Sequence, residues 1–219
     1  MQILHVGESM KEIHEKWFKE FLPALARPMP IEIPNVGRVT LAKWFGEWGF
    51  KRGAEIGVEA GLYSEALCKL NPALELFCID AWLKLEYRYW VTSRRVEGYR
   101  LQAIERLSPY NCHFIRKWSM DAVKDFKDGE LDFVYIDADH TYEATMNDII
   151  EWGKKVRSGG VISGHDYIHR GGQSEHKVIE AVNHYTRENK VSPWFVLGSK
   201  AKQPGEIRDQ CRSWMWVKQ

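Results

Sequence analysis

Two hydrophobic periods alternate along this chain from residue 53 onward. Ala54–Ile56, Leu74–Ile79, His113–Ile115, Leu131–Ile136 and Val161–Ser163 are short apolar runs that predict strands. Between them, Ser64–Leu70, the segment through Met146, Ile149, Ile150 and Val156, and Glu175–Glu188 repeat their apolar residues every three or four positions and predict helices. Leu131-Asp132-Phe133-Val134-Tyr135-Ile136 suits a central strand buried on both faces, and Gly159-Gly160 is expected to stop the helix that follows it. Trp194–Leu197 and Trp214–Val217 have no helix between them and are expected to pair as an antiparallel hairpin. The pattern is that of a single doubly wound α/β sheet with an antiparallel C-terminal edge hairpin.

The first 52 residues read differently. Ser9-Met10-Lys11-Glu12 has capping-box spacing, and Ile13, Trp17, Phe21, Leu22 and Leu25 then follow at helical intervals. Pro28-Met29-Pro30 and Pro34-Asn35 form a stiff connector, after which Thr40 is expected to cap a short helix carrying Leu41, Trp44, Phe45 and Trp48. Residues 1–52 are thus expected to be a helical N-terminal appendage to a domain spanning 53–219.

Composition narrows the class. With 219 residues, 44% of them hydrophobic, the chain has material for one well-filled core. Its 31 basic residues nearly cancel its 30 acidic ones, so no nucleic-acid partner is expected. The start, Met1-Gln2-Ile3-Leu4-His5, lacks a basic and apolar leader, and no apolar stretch of membrane length follows, so a cytoplasmic protein with no membrane partner is expected. Cys68, Cys78, Cys112 and Cys211 include no CxxC pair and read as reduced thiols.

The strand ends carry the chemistry, because ligands of open α/β sheets bind there. The first strand runs into Glu55-Ile56-Gly57-Val58-Glu59-Ala60-Gly61, whose glycines permit a sharp turn and a close ligand. The spacing differs from the G-x-G-x-x-G of dinucleotide sites, and Glu59 and Glu65 place negative charge where a pyrophosphate would dock. Asp80 ends the next strand, where a carboxylate can accept hydrogen bonds from ribose hydroxyls. A ribose without a pyrophosphate, in an acidic pocket, fits S-adenosylmethionine (SAM), with its positive sulfonium.

The central strand ends in Asp137-Ala138-Asp139-His140, and its neighbour in Gly164-His165-Asp166. Two readings stand side by side. In one, Asp137, His165 and Asp166 hold magnesium or manganese while His140 acts as general base. In the other, Asp139 caps the next helix, no metal binds, and His140 or His165 takes the proton unaided. Trp82 to Tyr99-Arg100, rich in cations and aromatics, reads either as an acceptor-binding wall or as an exposed amphipathic helix. Ile168–Gln173 is expected to form a loop over the site.

These residues resemble the class I SAM-dependent methyltransferases, in the branch similar to catechol and macrocin O-methyltransferases. The resemblance rests on Glu55–Gly61, Cys78-Ile79-Asp80, Trp118-Ser119-Met120-Asp121, Asp132–His140 and Gly159–Asp166. It implies a Rossmann-like fold and methyl transfer to a hydroxyl of a small molecule such as a sugar, phenol or natural product. It also implies that Glu55, Gly57 and Gly61 shape the methionine side of the cofactor pocket, that Asp80 holds the ribose with Trp82 beside it, and that Ser119 with Met120 or Asp121 borders the adenine. In metal-dependent members, Asp137 would match one magnesium ligand and His165-Asp166 an Asp-Asn pair, while His140 aligns with a lysine base. N-methylation, a non-catalytic SAM-binding role and assembly into a homo-oligomer stay open at this point.

Overall fold

The computed structural model describes residues 28–83, 92–169 and 176–219. The expected helix over Ser9–Leu25, most of the Trp82–Trp90 segment and most of the Ile168–Gln173 loop fall outside them. In chain order the elements are β1 (Ile31–Ile33), α1 (Arg38–Glu47), β2 (Arg52–Ile56), α2 (Leu62–Leu70), β3 (Glu75–Ile79), α3 (Ser93–Leu107), β4 (Cys112–Ile115), α4 (Ser119–Ala122), β5 (Leu131–Ile136), α5 (Tyr142–Lys155), β6 (Val156–Gly164), α6 (Val178–Glu188), β7 (Phe195–Leu197) and β8 (Ser213–Val217). No described helix is long and apolar enough to cross a membrane.

The eight strands form one sheet in the order β1-β7-β8-β6-β5-β2-β3-β4. β2 pairs in parallel with both β3 and β5, and β5 pairs in parallel with β6. β8 runs antiparallel to both β6 and β7, as the missing helix between the last two strands predicts. The edge itself is not the hairpin, because β1 adds in parallel outside β7, with Ile31 opposite Phe195.

Alternation along β5 divides the core. Phe133 and Tyr135 face a cluster with Leu41, Phe45 and Trp48 of α1, Leu67 of α2 and Leu107 of α3. Val134 and Ile136 face the other side, with Ile149 and Trp152 of α5 and Val178 and Val182 of α6. The sheet is therefore doubly wound, with every β5 position except Asp132 buried. Of the segment expected to be an appendage, residues 28–52 supply an edge strand and a helix whose Phe45 stacks on Phe133 at 4.1 Å.

Two local expectations are corrected. α1 begins at Arg38 with Gly37 as its cap residue, so Thr40 lies one turn inside and accepts the Gly37 amide at 3.5 Å. The outside cap is Asp209, whose carboxylate accepts the Arg38 amide at 2.6 Å from the far end of the chain. The Gly159-Gly160 pair does not end α5: the chain turns extended at Val156, and both glycines lie inside β6 at a register shift against β5. At Gly160 a Cβ would stand 2.4 Å from the Asp132 carbonyl, which explains the glycine by close backbone approach. All four cysteines are free, although Cys68 Sγ and Cys112 Sγ are 3.5 Å apart.

Gly57 has φ +92° and a Cβ there would lie 2.1 Å from the Asp137 carbonyl, whereas Gly98, inside α3, has open space around it. Gly57→Ala is expected to destabilise by on the order of 3 kcal/mol, combining backbone strain with a clash against rigid main chain. Gly98→Ala is expected to stabilise by about 0.5–1 kcal/mol, because alanine loses less entropy in a helix. Urea unfolding of both variants checks the pair.

Candidate functional site

The chain crosses from β2 to β3 and β4 on one side of the sheet, and continues to β5 and β6 on the other. Loops leaving β2 and β5 therefore diverge and open a crevice at their carboxyl ends. Gly57 donates its amide to the Ile79 carbonyl at 2.8 Å, and Asp137 donates its amide to the Ile56 carbonyl at 2.7 Å, so three strand ends are fastened together.

On the β2–β3 side, Asp80 organises the turn. Its Oδ2 accepts the amides of Val58 at 3.0 Å and Glu59 at 2.9 Å, and its Oδ1 accepts the Trp82 amide at 2.7 Å. Trp82 is buried beside Phe114 and donates its indole N–H to the Glu59 carbonyl at 2.8 Å, so it acts as a clasp between the loops. Gly61, in the left-handed region at φ +73°, starts α2, and a Cβ there would lie 3.2 Å from the Ala103 Cα of α3. Glu55 lies beneath the turn, takes a hydrogen bond from the Ser64 hydroxyl, and is pushed up to about 8 by its burial.

Ser119, Met120 and Asp121 begin α4 after the β4 end. Ser119 donates its hydroxyl to Asp148 of α5 and accepts the Trp152 indole at 2.8 Å, so it ties α4 to α5. Asp121 is exposed and pairs outward with Lys124 at 2.8 Å, while Met120 is half-buried against the core of that face. Of the expected wall, Arg95 lies on Tyr99 and Arg100 pairs with Glu97 along α3, the arrangement of an exposed amphipathic helix.

On the β5–β6 side the two strand ends bring Asp137, His140, His165 and Asp166 together. His140 Nε2 stands 3.0 Å from Asp166 Oδ2 and 3.4 Å from Asp137 Oδ1. His165 Nδ1 is 3.4 Å from Asp137 Oδ2, and its Nε2 is buried without a hydrogen-bond partner. Asp166 holds φ +57°, unusual for a non-glycine residue, and is almost fully buried. Burial alone would lower the His140 pKa, but its hydrogen bonds to Asp137 and Asp166 raise it from 6.5 to about 9. Burial likewise opposes ionisation of Asp166, yet the His140 hydrogen bond holds that carboxyl far below the usual range. At neutral pH His140 is therefore an imidazolium clamped between two carboxylates.

Two side chains join the site that the sequence reading passed over. His176, just before α6, lies beside His140 with ring centroids 5.1 Å apart and the rings tilted at 54°, and the adjoining Lys177 amide donates to the His140 carbonyl at 2.8 Å. Arg38, at the start of α1, lies over the Tyr63 ring and 3.9 Å from Asp137 Oδ2. A third histidine downstream of the His165-Asp166 pair was the available signal for His176. Nothing in the pattern pointed to Arg38.

The ligand atoms of Asp137, His165 and Asp166 lie within 4.8 Å of one another, as do those of His140, Asp166 and His176. Neither set fits magnesium, which favours all-oxygen coordination, because each includes at least one imidazole.

Residues 54–167, more than half of the chain, match the family model described as a methyltransferase domain. No curated protein matches the sequence. Among solved structures the chain is similar to an O-methyltransferase from Bacillus cereus in complex with SAH, at 16% identity and a TM-score of 0.56, over 99% of this chain and 93% of that one. It is also similar to the O-methyltransferase TomG from Streptomyces achromogenes in complex with SAM, at 15% identity and a TM-score of 0.56, over 99% of this chain and 92% of that one. At such identities the likeness concerns the fold.

The His140 environment has a consequence for stability. Its folded pKa of about 9 exceeds the ordinary 6.5, so the clamp contributes fully below pH 6.5 and is lost as pH rises through about 9. Unfolding free energy measured across that window is expected to fall with pH, and His140→Gln is expected to flatten that part of the profile. An unchanged slope in the variant would remove the clamp from the account.

Proposed function

The chain belongs to the methyltransferase domain family, and from that premise we propose that it transfers a methyl group from SAM to a hydroxyl oxygen of a small molecule. The observation that carries the hydroxyl reading is the convergence of Asp137, His140, His165 and Asp166 on two neighbouring strand ends. A neutral amine can attack a methyl carbon with its own lone pair, whereas a hydroxyl becomes a strong nucleophile only as it loses its proton. A cluster of proton-binding groups serves the second need.

SAM supplies an electrophilic methyl carbon, whose bond to sulfur breaks with its electron pair left on sulfur as the acceptor oxygen attacks. The described residues around the turn suit that positive donor: Glu59, Asp80 and Asp137 are acidic, with Arg38 as the neighbouring cation. Gly57 and Gly61 keep the turn low and narrow, and Asp80 holds its amides in place. The proton of the acceptor hydroxyl passes to an imidazole of the cluster, His165, which faces Asp137 at 3.4 Å. His140 already carries a proton at neutral pH, so it holds Asp137 and Asp166 together and is not the base. The chain's own contribution is placement of the acceptor oxygen and custody of its proton.

Calorimetry with SAM, SAH and NAD tests the reading. Micromolar binding of SAM and SAH, and none of NAD, is expected; failure of both with the protein folded would sink it. Asp80→Ala is expected to weaken SAM binding about 10- to 100-fold, the worth of hydrogen bonds to a charged group. Asp166→Asn is expected to lower turnover by on the order of 100-fold with SAM affinity nearly unchanged, measured as labelled methyl transferred to an identified acceptor.

A further inference from the structure

We propose that His140, Asp166 and His176 form a binding site for a first-row transition-metal dication of the cobalt and zinc kind. Three separate segments supply the donors: the turn after β5, the turn after β6 and the approach to α6. Their ligand atoms lie within 4.8 Å of one another. Donors sharing one ion at about 2.0–2.2 Å stand no more than about 4 Å apart, so only a small closing movement is needed.

The three are held in place from outside. The Lys177 amide on the His140 carbonyl fixes His176 against His140. Asp166 is held in the left-handed region between two main-chain anchors: His165 donates its amide to Ile136 at 3.0 Å, and Tyr167 donates its amide to Arg212 at 2.9 Å. A strained residue held this firmly is a mark of a working position. Asp137, next to both His140 and His165, brings a second negative charge to balance a dication.

Donor chemistry selects the ion. Two imidazoles and one carboxylate suit zinc, cobalt or iron(II), while magnesium prefers oxygen alone. The set shares only Asp166 with the Asp137–His165–Asp166 trio, and its distinguishing member is His176. Three protein donors leave coordination positions for further oxygens.

Metal binding is read without any methyl transfer, so its failure and that of the proposed activity are separable. Tag-free, chelator-stripped full-length protein is titrated with cobalt chloride, followed by visible d–d absorption and calorimetry, and in parallel with magnesium chloride. One cobalt per chain is expected, with magnesium far weaker. His176→Gln is expected to weaken cobalt binding by on the order of 100-fold, and His165→Gln to change it by less than about threefold. Proton NMR of the cobalt-loaded wild type is expected to show two shifted exchangeable imidazole N–H resonances, a readout that needs no variant. Cobalt binding indifferent to His176→Gln in a folded variant, loss through His165→Gln instead, fewer than two such resonances, or magnesium binding as tight as cobalt would each overturn the proposal.

Discussion

The crossing of Gly57 over the Asp137 main chain sets the terms for the rest of the site. Because no side chain intervenes, the β2 turn and the β5 end pass within van der Waals reach, and each amide finds a neighbouring strand's carbonyl. That contact places the two halves of the crevice side by side: Asp80 and its loop on one flank, Asp137 and the histidines on the other. Any residue with a Cβ at this point would push the flanks apart. The burden is carried by main chain, so the side chains of both flanks stay available for chemistry.

The second constraint is electrostatic. Asp166 is a buried carboxylate and Asp137 a half-buried one, and two such groups at close quarters repel each other. The fold answers with imidazoles rather than with a lysine or arginine at contact distance; Arg38 reaches only to 3.9 Å of Asp137. An arginine would neutralise the pair permanently, because it does not release its proton in proteins. Histidine leaves the neutralising charge exchangeable, and a group whose charge can be exchanged can serve acid–base chemistry. Glu55, neutral for much of the physiological range beneath the same crevice, shows the alternative response to burial: it keeps its proton and relies on Ser64.

Much of this was legible in the chain. The 2-residue and 3.6-residue periods place β2 to β6 and their helices correctly, because a central strand buried on both faces must be apolar almost throughout, as Leu131–Ile136 is. The acidic strand ends were equally visible, since ligand sites of open sheets are fixed by topology. What escaped were features decided by distant parts of the chain. Ile31–Ile33 is three residues between prolines, and it becomes a strand only because β7 offers an open edge. Thr40 carries the right side chain for a helix cap, but Asp209 arrives from the C-terminal region and moves the start to Gly37. Gly159-Gly160 has the composition of a helix stop and serves a strand irregularity, a choice made by β5. His176 joins the site because the Lys177 amide ties the start of α6 to the His140 carbonyl.

Strain shows where the fold has given up local comfort. Of the five described non-glycine residues with positive φ, Glu59, Trp82 and Asp166, at 49°, 44° and 57°, lie at the strand ends around the crevice, while Asn35 follows β1 and Lys190 follows α6. Each costs on the order of 1 kcal/mol or more relative to an ordinary conformation. At Glu59 and Trp82 the cost is met by the Asp80 carboxylate and by the indole hydrogen bond, which stiffen the turn after β2. At Asp166 it is met by flanking strand and Arg212 contacts, which aim the carboxylate at His140 instead of at solvent. A random scatter of such residues would read as loop irregularity. Gathered around one crevice, these three describe a framework that keeps the β2 turn and the Asp137, His140, His165 and Asp166 cluster rigid, and rigidity of that kind is what the proposed displacement would demand of a protein that must align three atoms in a row.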